Sequence, residues 1–161
     1  MSKVEETVCA LDRHGVKYEL IEHPAVMTVD EFRLQQAYGM GMILKNLFLR
    51  DDTGARTFMF SCPGEKRADL KGLSGALGVR RLCFASSERL FSCTGLAPGA
   101  VSPLGLLYDK YRQVTMLFDG ELRSLRERVG VHPGENTFTV FLEFAELARF
   151  LEEIGVNPIF V

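Results

Sequence analysis

The sequence predicts an α+β fold: a single domain built on a mixed, mostly antiparallel and curled sheet with helices around it. Three observations carry that expectation. Segments with helical apolar spacing are interspersed with segments that read as β-hairpins, without regular βαβ alternation. No glycine-rich nucleotide fingerprint follows a strand. No repeat, low-complexity tract or linker divides the 161 residues, so residues 1–161 are read as one domain.

The chain opens on Ser2-Lys3-Val4-Glu5, a capping box in which hydroxyl and carboxylate each satisfy one orphan amide. Val4, Val8 and Leu11 then recur at helical spacing, and His14-Gly15 supplies the stop. Residues 16–22 read as a strand ended by His23-Pro24. A second capping box, Thr28-Val29-Asp30-Glu31, opens a short polar helix to about Gln36. The glycine- and methionine-bearing tract 38–42 then leads to the stretch on which the chain turns. Leu44, Leu47, Phe48 and Leu49 mark a buried strand over 44–50, yet Lys45 and Asn46 stand at its mouth. One reading has Lys45 carry its ammonium to water while Asn46 bonds a neighbouring backbone. The other makes the strand a rigid mount that turns a cation and an amide toward an anionic ligand.

Asp51-Asp52-Thr53-Gly54 is a turn, and 56–61 is the returning arm of a hairpin with Phe58 and Phe60 on one face. Residues 66–77 form a weak helix stopped by Gly78, since Gly72 and Gly75 each cost up to about 1 kcal/mol against alanine. A strand over 80–85 follows, then a helix capped by Ser86 or Ser87 that closes near Gly95. In residues 96–108, Pro98, Gly99, Pro103 and Gly105 both stiffen and uncover the backbone. Such a loop can present main-chain groups to a small ligand; the same residues also suit a turn and a strand bulged at Gly105. Residues 114–118 are a strand, Asp119 caps one helical turn, and 126–131 and 137–141 form a second hairpin across a turn at 132–136. The clearest helix carries Leu147, Phe150, Leu151 and Ile154 on one stripe and ends at Gly155, before a closing strand at 159–161.

Cys9, Cys62, Cys83 and Cys93 include no C-x-x-C pair, and His14, His23 and His132 show no metal-ligand spacing. Neither a metal nor a redox cofactor is therefore expected. Cys62, beside Pro63, is the thiol to weigh as a nucleophile, against the commoner buried and inert cysteine. A net charge of −2 argues against broad nonspecific nucleic-acid binding, DNA included. It leaves room for a local basic patch, either Lys66, Arg67, Lys71, Arg80 and Arg81 or Arg123, Arg126 and Arg128, both of which are equally readable as solvated faces. No apolar run approaches the roughly eighteen residues that span a bilayer, and no signal-peptide core opens the chain, so a cytoplasmic protein without a membrane partner is expected.

Four stretches together resemble a known family. His23-Pro24 with Thr28 and Glu31, Lys45-Asn46-Leu47-Phe48-Leu49, Gly99-Ala100-Val101-Ser102-Pro103 with Gly105-Leu106, and His132-Pro133 with Asn136-Thr137 carry the resemblance. In order and spacing they look like the YbaK/ProX-type aminoacyl-tRNA deacylases, free-standing relatives of the editing domain of bacterial prolyl-tRNA synthetase. The Lys-Asn-Leu-Phe-Leu form is nearest the PrdX-like branch that hydrolyses alanyl-tRNA(Pro). The resemblance implies that family's fold and a hydrolase, without cofactor or metal, that removes a mischarged amino acid from tRNA(Pro), alone or beside prolyl-tRNA synthetase.

It also implies roles. Lys45, Asn46, Gly99 and Ser102 would serve catalysis: Lys45 at the anionic 3′ end, Asn46 orienting its neighbours, and the Gly-x-x-x-Pro main chain holding the aminoacyl group and the attacking water. Thr28, Met42, Val101, Pro103, His132, Asn136 and Thr137 would line the substrate pocket; proximity to the motifs, rather than the resemblance, makes Met27, Met42, Ile43 and Val101 candidates for its walls, against their commoner place in an ordinary core. A pocket that admits alanine and excludes proline corrects what a synthetase cannot, because each missing methylene is worth only about 1–3 kcal/mol of discrimination. The apolar stretch 39–44 departs from the small polar residues of the family at that position, which leaves the preferred amino acid open. The alternative function is a noncatalytic tRNA- or amino-acid-binding regulator of the same fold. The whole reading requires the Lys45 ammonium and the main chain between Pro98 and Pro103 to open into one alanine-sized hollow.

Overall fold

The Ser2 capping box forms as the sequence predicts: Ser2 Oγ accepts from Glu5 N at 3.2 Å, and Glu5 Oε2 accepts from Ser2 N at 2.7 Å. It starts α1 (Lys3–Arg13), which buries Val4, Ala10 and Leu11. The structure is a computed structural model that describes residues 1–25 and 39–161; the helix expected at 28–36, with Met27 and Thr28, lies outside the described residues.

Eight strands follow the expected order: β1 (Glu19–Glu22), β2 (Met42–Asp51), β3 (Thr57–Pro63), β4 (Leu82–Phe84), β5 (Val114–Phe118), β6 (Arg128–Val131), β7 (Phe138–Glu143) and β8 (Ile159–Phe160). They form one sheet in the order β1-β7-β6-β2-β3-β5-β8, with β4 joined to β2. Pairs β1–β7, β6–β7, β2–β3 and β2–β4 are antiparallel. Pairs β2–β6, β3–β5 and β5–β8 are parallel. The sheet is therefore mixed and α+β as expected, with its longest ladder the hairpin that runs from Leu44–Pro63 to Arg50–Thr57.

Among the described residues three further helices pack around it: α2 (Leu70–Leu77), α3 (Ser87–Thr94) and α4 (Phe144–Glu153). One sheet face, carrying Leu44, Phe48, Met59, Met116 and Val140, packs on residues of α1, α3 and α4, including Leu11, Leu90, Leu147 and Phe150. Burying each such side chain contributes roughly 1.5–3 kcal/mol. The opposite face of β2 and β3, with Leu49, Phe58 and Phe60, is covered by Leu73 of α2.

Two expectations are corrected. The helix begins at Leu70 rather than 66, because Asp69 is the cap and its carboxylate accepts from Gly72 N at 2.9 Å. The strand bulged at Gly105 is a 3-10 helix, Pro103–Tyr108. Ser102 Oγ accepts from Leu104 N at 3.2 Å, and Pro103 needs no amide partner in the first turn. Gly105 serves packing: a Cβ there would lie 2.3 Å from Leu96 Cδ1. Smaller differences, such as a first strand of only Glu19–Glu22, are of the size that element ends show generally.

Candidate active site

One edge of β2 is interrupted where Lys45 and Asn46 sit. Along its other edge β3 pairs continuously from Leu44 to Arg50. On the interrupted edge β6 takes Met42 and Ile43, while β4 takes Leu49 to Asp51, and Ala85 N donates to Phe48 O at 2.9 Å. Among the described residues no strand pairs with 44–47 on that side. Antiparallel pairing sends the main-chain groups of successive residues to alternate edges. Asp51 N donates to Arg56 O across the hairpin at 3.1 Å and Phe48 C=O faces β4, so the Asn46 N–H and C=O face the gap. His132 is the first residue beyond the end of β6, at the gap's lip.

The pleat sends the two polar side chains opposite ways. Asn46 shares a face with Leu44 and Phe48, the face on which Met42, Ala85 and Val101 also pack. Lys45 shares the other face with Ile43, which packs on Phe141, and with Leu47. Among the described residues its ammonium donates to Lys66 O at 2.6 Å. Asn46 bonds a side chain rather than a backbone: Ser61 Oγ donates to its Oδ1 at 2.5 Å. The Lys45 side chain thus leaves β2 on the face opposite the one on which Val101 packs, so the single alanine-sized hollow expected between its ammonium and the 98–103 main chain does not open on one face of β2.

The loop is tightly held. Ala100 N donates to Ala97 O at 3.1 Å, and Gly99 has φ 88°, a left-handed conformation that suits glycine. Ser102 and Pro103 are buried, and the Ser102 hydroxyl is taken up by its cap. Met42 and Val101 therefore pack on the side that Asn46 faces, and Gly99 is partly exposed.

A second group forms around two histidines. His132 Nδ1 donates to Phe138 O at 2.7 Å, which leaves the lone pair of the neutral ring on Nε2. Burial pushes its pKa below the ordinary value; the Phe138 hydrogen bond opposes this, and nearby His23 adds to it. The two rings are 6.1 Å apart. His23 N donates to Thr137 O at 2.9 Å, its Nδ1 donates to Pro24 O at 2.8 Å, and its Nε2 meets Thr139 Oγ1 at 2.9 Å. His132 and Thr137 are thus gathered by His23, with Asn136 in the same turn. Sequence reasoning placed His23 in a family motif without giving it this role. It missed Ser61 and Thr139, whose only signal is a hydroxyl at a strand position surrounded by apolar residues.

Other candidates resolve simply. Cys62 stands opposite Lys45 but is buried, and that burial pushes its thiol pKa up, which disfavours the thiolate. Among the described residues no group of three or more histidine, cysteine or carboxylate side chains could hold a metal ion, and no helix is long and apolar enough to cross a membrane. Lys66 is paired with Asp119 at 2.8 Å and Glu121 at 3.0 Å, hydrogen bonds that raise its pKa. Arg128 is paired with Glu19 at 2.5 Å, and Arg123 lies over the Phe160 ring at 4.2 Å. Arg67, Lys71, Arg80 and Arg81 are exposed. An open cavity of about 560 Å³ is lined by Cys9, Asp12 and Arg13 of α1 with Leu107 and Tyr108, and none of the candidate site residues lines it.

Residues 23–150 match the family model of the aminoacyl-tRNA editing domain. The prolyl-tRNA editing protein ProX of Acetoanaerobium sticklandii is 36% identical over 155 residues, covering 96% of this chain and 94% of that protein. Prolyl-tRNA synthetase associated domain-containing protein 1 of Danio rerio is 34% identical over 150 residues, covering 92% and 81%. A crystal structure described as a candidate trans-editing enzyme for prolyl tRNA synthetase shares the fold, with a TM-score of 0.72 at 23% identity over 99% of this chain and 96% of that one. With a family model spanning most of its length and a relative similar from end to end, the chain belongs to the aminoacyl-tRNA editing domain family and is an aminoacyl-tRNA deacylase.

Proposed function

We propose that the protein removes alanine from mischarged tRNA(Pro), receiving the aminoacylated 3′ end at the gap in β2. The observation that carries this reading is the gap itself: an extended main chain with unpaired strand groups, bordered by a lysine, an asparagine and a neutral histidine. Strands that part from a common neighbour leave a crevice of the kind in which open sheets bind ligands. The relatives named for prolyl-tRNA point to the same substrate class.

In the reaction a water oxygen bonds to the ester carbonyl carbon, and the bond from that carbon to the ribose oxygen breaks. One water proton ends on the ribose oxygen, the other goes to solvent, and alanine leaves as its carboxylate. Asn46 supplies N–H donors toward the carbonyl oxygen as it gains charge, the step at which such donors act most. The Gly99–Pro103 main chain holds the aminoacyl group and the water, with Ser102 fixing the loop through its cap. The His132 Nε2 lone pair accepts a hydrogen bond from the ribose, beside Asn136 and Thr137. Lys45 leaves Lys66 O to meet the terminal phosphate. Met42 and Val101 bound the amino-acid side of the site and set the size limit.

The tRNA body meets Arg67, Lys71, Arg80 and Arg81, because Lys66 and Arg128 are already neutralised by carboxylates. The substrate is the tRNA released by prolyl-tRNA synthetase, with which the protein works in sequence. The test is deacylation of labelled alanyl-tRNA(Pro), with prolyl- and cysteinyl-tRNA(Pro) beside it. Alanine is released and proline spared; rates equal to buffer on all three remove the proposal.

A further inference from the structure

We infer that Ser61 is a positioning residue for deacylation: its hydroxyl fixes the Asn46 carboxamide so that the amide's N–H donors, rather than its oxygen, face the gap. The inference rests on the reading of that gap as the reaction site, and goes beyond it to a residue outside every motif.

Ser61 is completely buried, between Phe60 and Cys62 on a strand whose other buried members from Phe58 to Cys62 are apolar. A buried hydroxyl at such a place requires a partner, and among the described residues Asn46 Oδ1 at 2.5 Å is the one its side chain has. The ladder makes that contact direct. Asn46 and Ser61 are opposite each other, and the alternation that places the Asn46 main chain in the gap makes them a non-hydrogen-bonded pair, the kind whose side chains come closest. Ser61 is itself held from the far side, where its C=O accepts from Asp119 N at 2.9 Å and Phe118 stands opposite on β5. The hydroxyl therefore cannot drift.

A carboxamide has one oxygen acceptor and two N–H donors. With Oδ1 engaged by Ser61, Nδ2 is the free end; it makes no hydrogen bond among the described residues, and Asn46 is partly exposed beside the gap. Without the serine hydroxyl the amide rotates, and an oxygen lone pair can then face a carbonyl oxygen that is becoming negative. Such a fault weakens the transition state and leaves ground-state binding nearly untouched.

The experiment compares Ser61→Ala, Asn46→Ala and the double variant in alanyl-tRNA(Pro) deacylation, with Ser61→Cys as a near-isosteric second variant. Thermal unfolding of each reports whether it is folded. Ser61→Ala is expected to lower kcat about tenfold with KM changed less than about twofold, and Ser61→Cys to fall between it and wild type. In the Asn46→Ala background the Ser61 change should cost no more than about twofold, because its effect passes through the missing amide. Equal loss in both backgrounds, or wild-type kcat in Ser61→Ala, overturns the inference. The Asn46 side-chain NH₂ resonances provide a readout independent of turnover: they should shift and broaden in Ser61→Ala, and unchanged signals overturn the inference as well. A wild-type protein without turnover would refute the hydrolase reading alone, leaving these resonances to decide the role of Ser61.

Discussion

Replacing Lys45 with alanine should separate catalysis from folding. The structure sets the stability cost: among the described residues, the hydrogen bond from the ammonium to Lys66 O, 2.6 Å long, on a partly exposed side chain. A charged hydrogen bond is worth about 1.5–3 kcal/mol when removal strands its partner, but here solvent can reach the site, so about 1 kcal/mol is the larger share of the loss. Adding part of the aliphatic stem brings the total to about 1–2 kcal/mol, well inside the usual 5–15 kcal/mol of a folded domain. At about 2–4 °C per kcal/mol for a chain of this size, Tm should fall by about 2–8 °C. Losing a cation from the charge-bearing end of the substrate should instead lower the rate by about 10²–10³. Circular dichroism melts and single-turnover deacylation of alanyl-tRNA(Pro) measure the two effects. A variant within about threefold of wild-type rate, or one that no longer folds, would show that Lys45 holds the Lys66 turn and nothing more.

Three other outcomes follow from named interactions. Gly105→Ala should destabilise by about 1–3 kcal/mol, because its methyl meets Leu96 at 2.3 Å inside a closed core; pairing it with Leu96→Ala should give less than the sum of the two losses, and strict additivity in urea melts would contradict the clash. The folded pKa of His132 lies below the ordinary 6.5, so in the window between them the unfolded chain binds more protons. The contribution to stability is full above 6.5 and is lost as pH falls toward the folded value; His132→Gln should flatten that acid limb of Tm against pH, and an unchanged limb would remove His132 as its source. Charge reversal at Arg80 and Arg81 should weaken tRNA binding and reduce its salt slope by about 1 for each phosphate no longer neutralised, whereas an unchanged slope would place the tRNA elsewhere.

Local chemistry was legible wherever one residue decides a boundary. Ser2 with Glu5, the 51–54 turn, Gly78 and Gly95 as left-handed helix stops, and the apolar stripe of α4 all appear as the spacing predicts. The 3-10 helix at Pro103 was not, because its decisive contact is between Gly105 and Leu96, and a glycine on its own reads equally as a bulge. The site was legible as a set of residues and not as an arrangement. Period-2 alternation already sends Lys45 and Asn46 to opposite faces, but the gap between them depends on β6 arriving parallel from more than eighty residues away and on β4 stopping short. Those are long-range pairings that local propensity does not encode. Ser61 was invisible for the same reason: one hydroxyl in a strand carries no signal until its neighbour across the ladder is known.

The central claim is that both faces of β2 meet one substrate through the gap. A non-hydrolysable adenosine bearing alanine as a 3′-amide, titrated into ¹⁵N-labelled protein, tests it most directly. Saturable shifts at the Asn46 amide, Gly99 and Val101 together with Lys45 and His132 are the predicted result. Shifts limited to one face of β2, or gathered around Cys9, Arg13 and Tyr108, would contradict it.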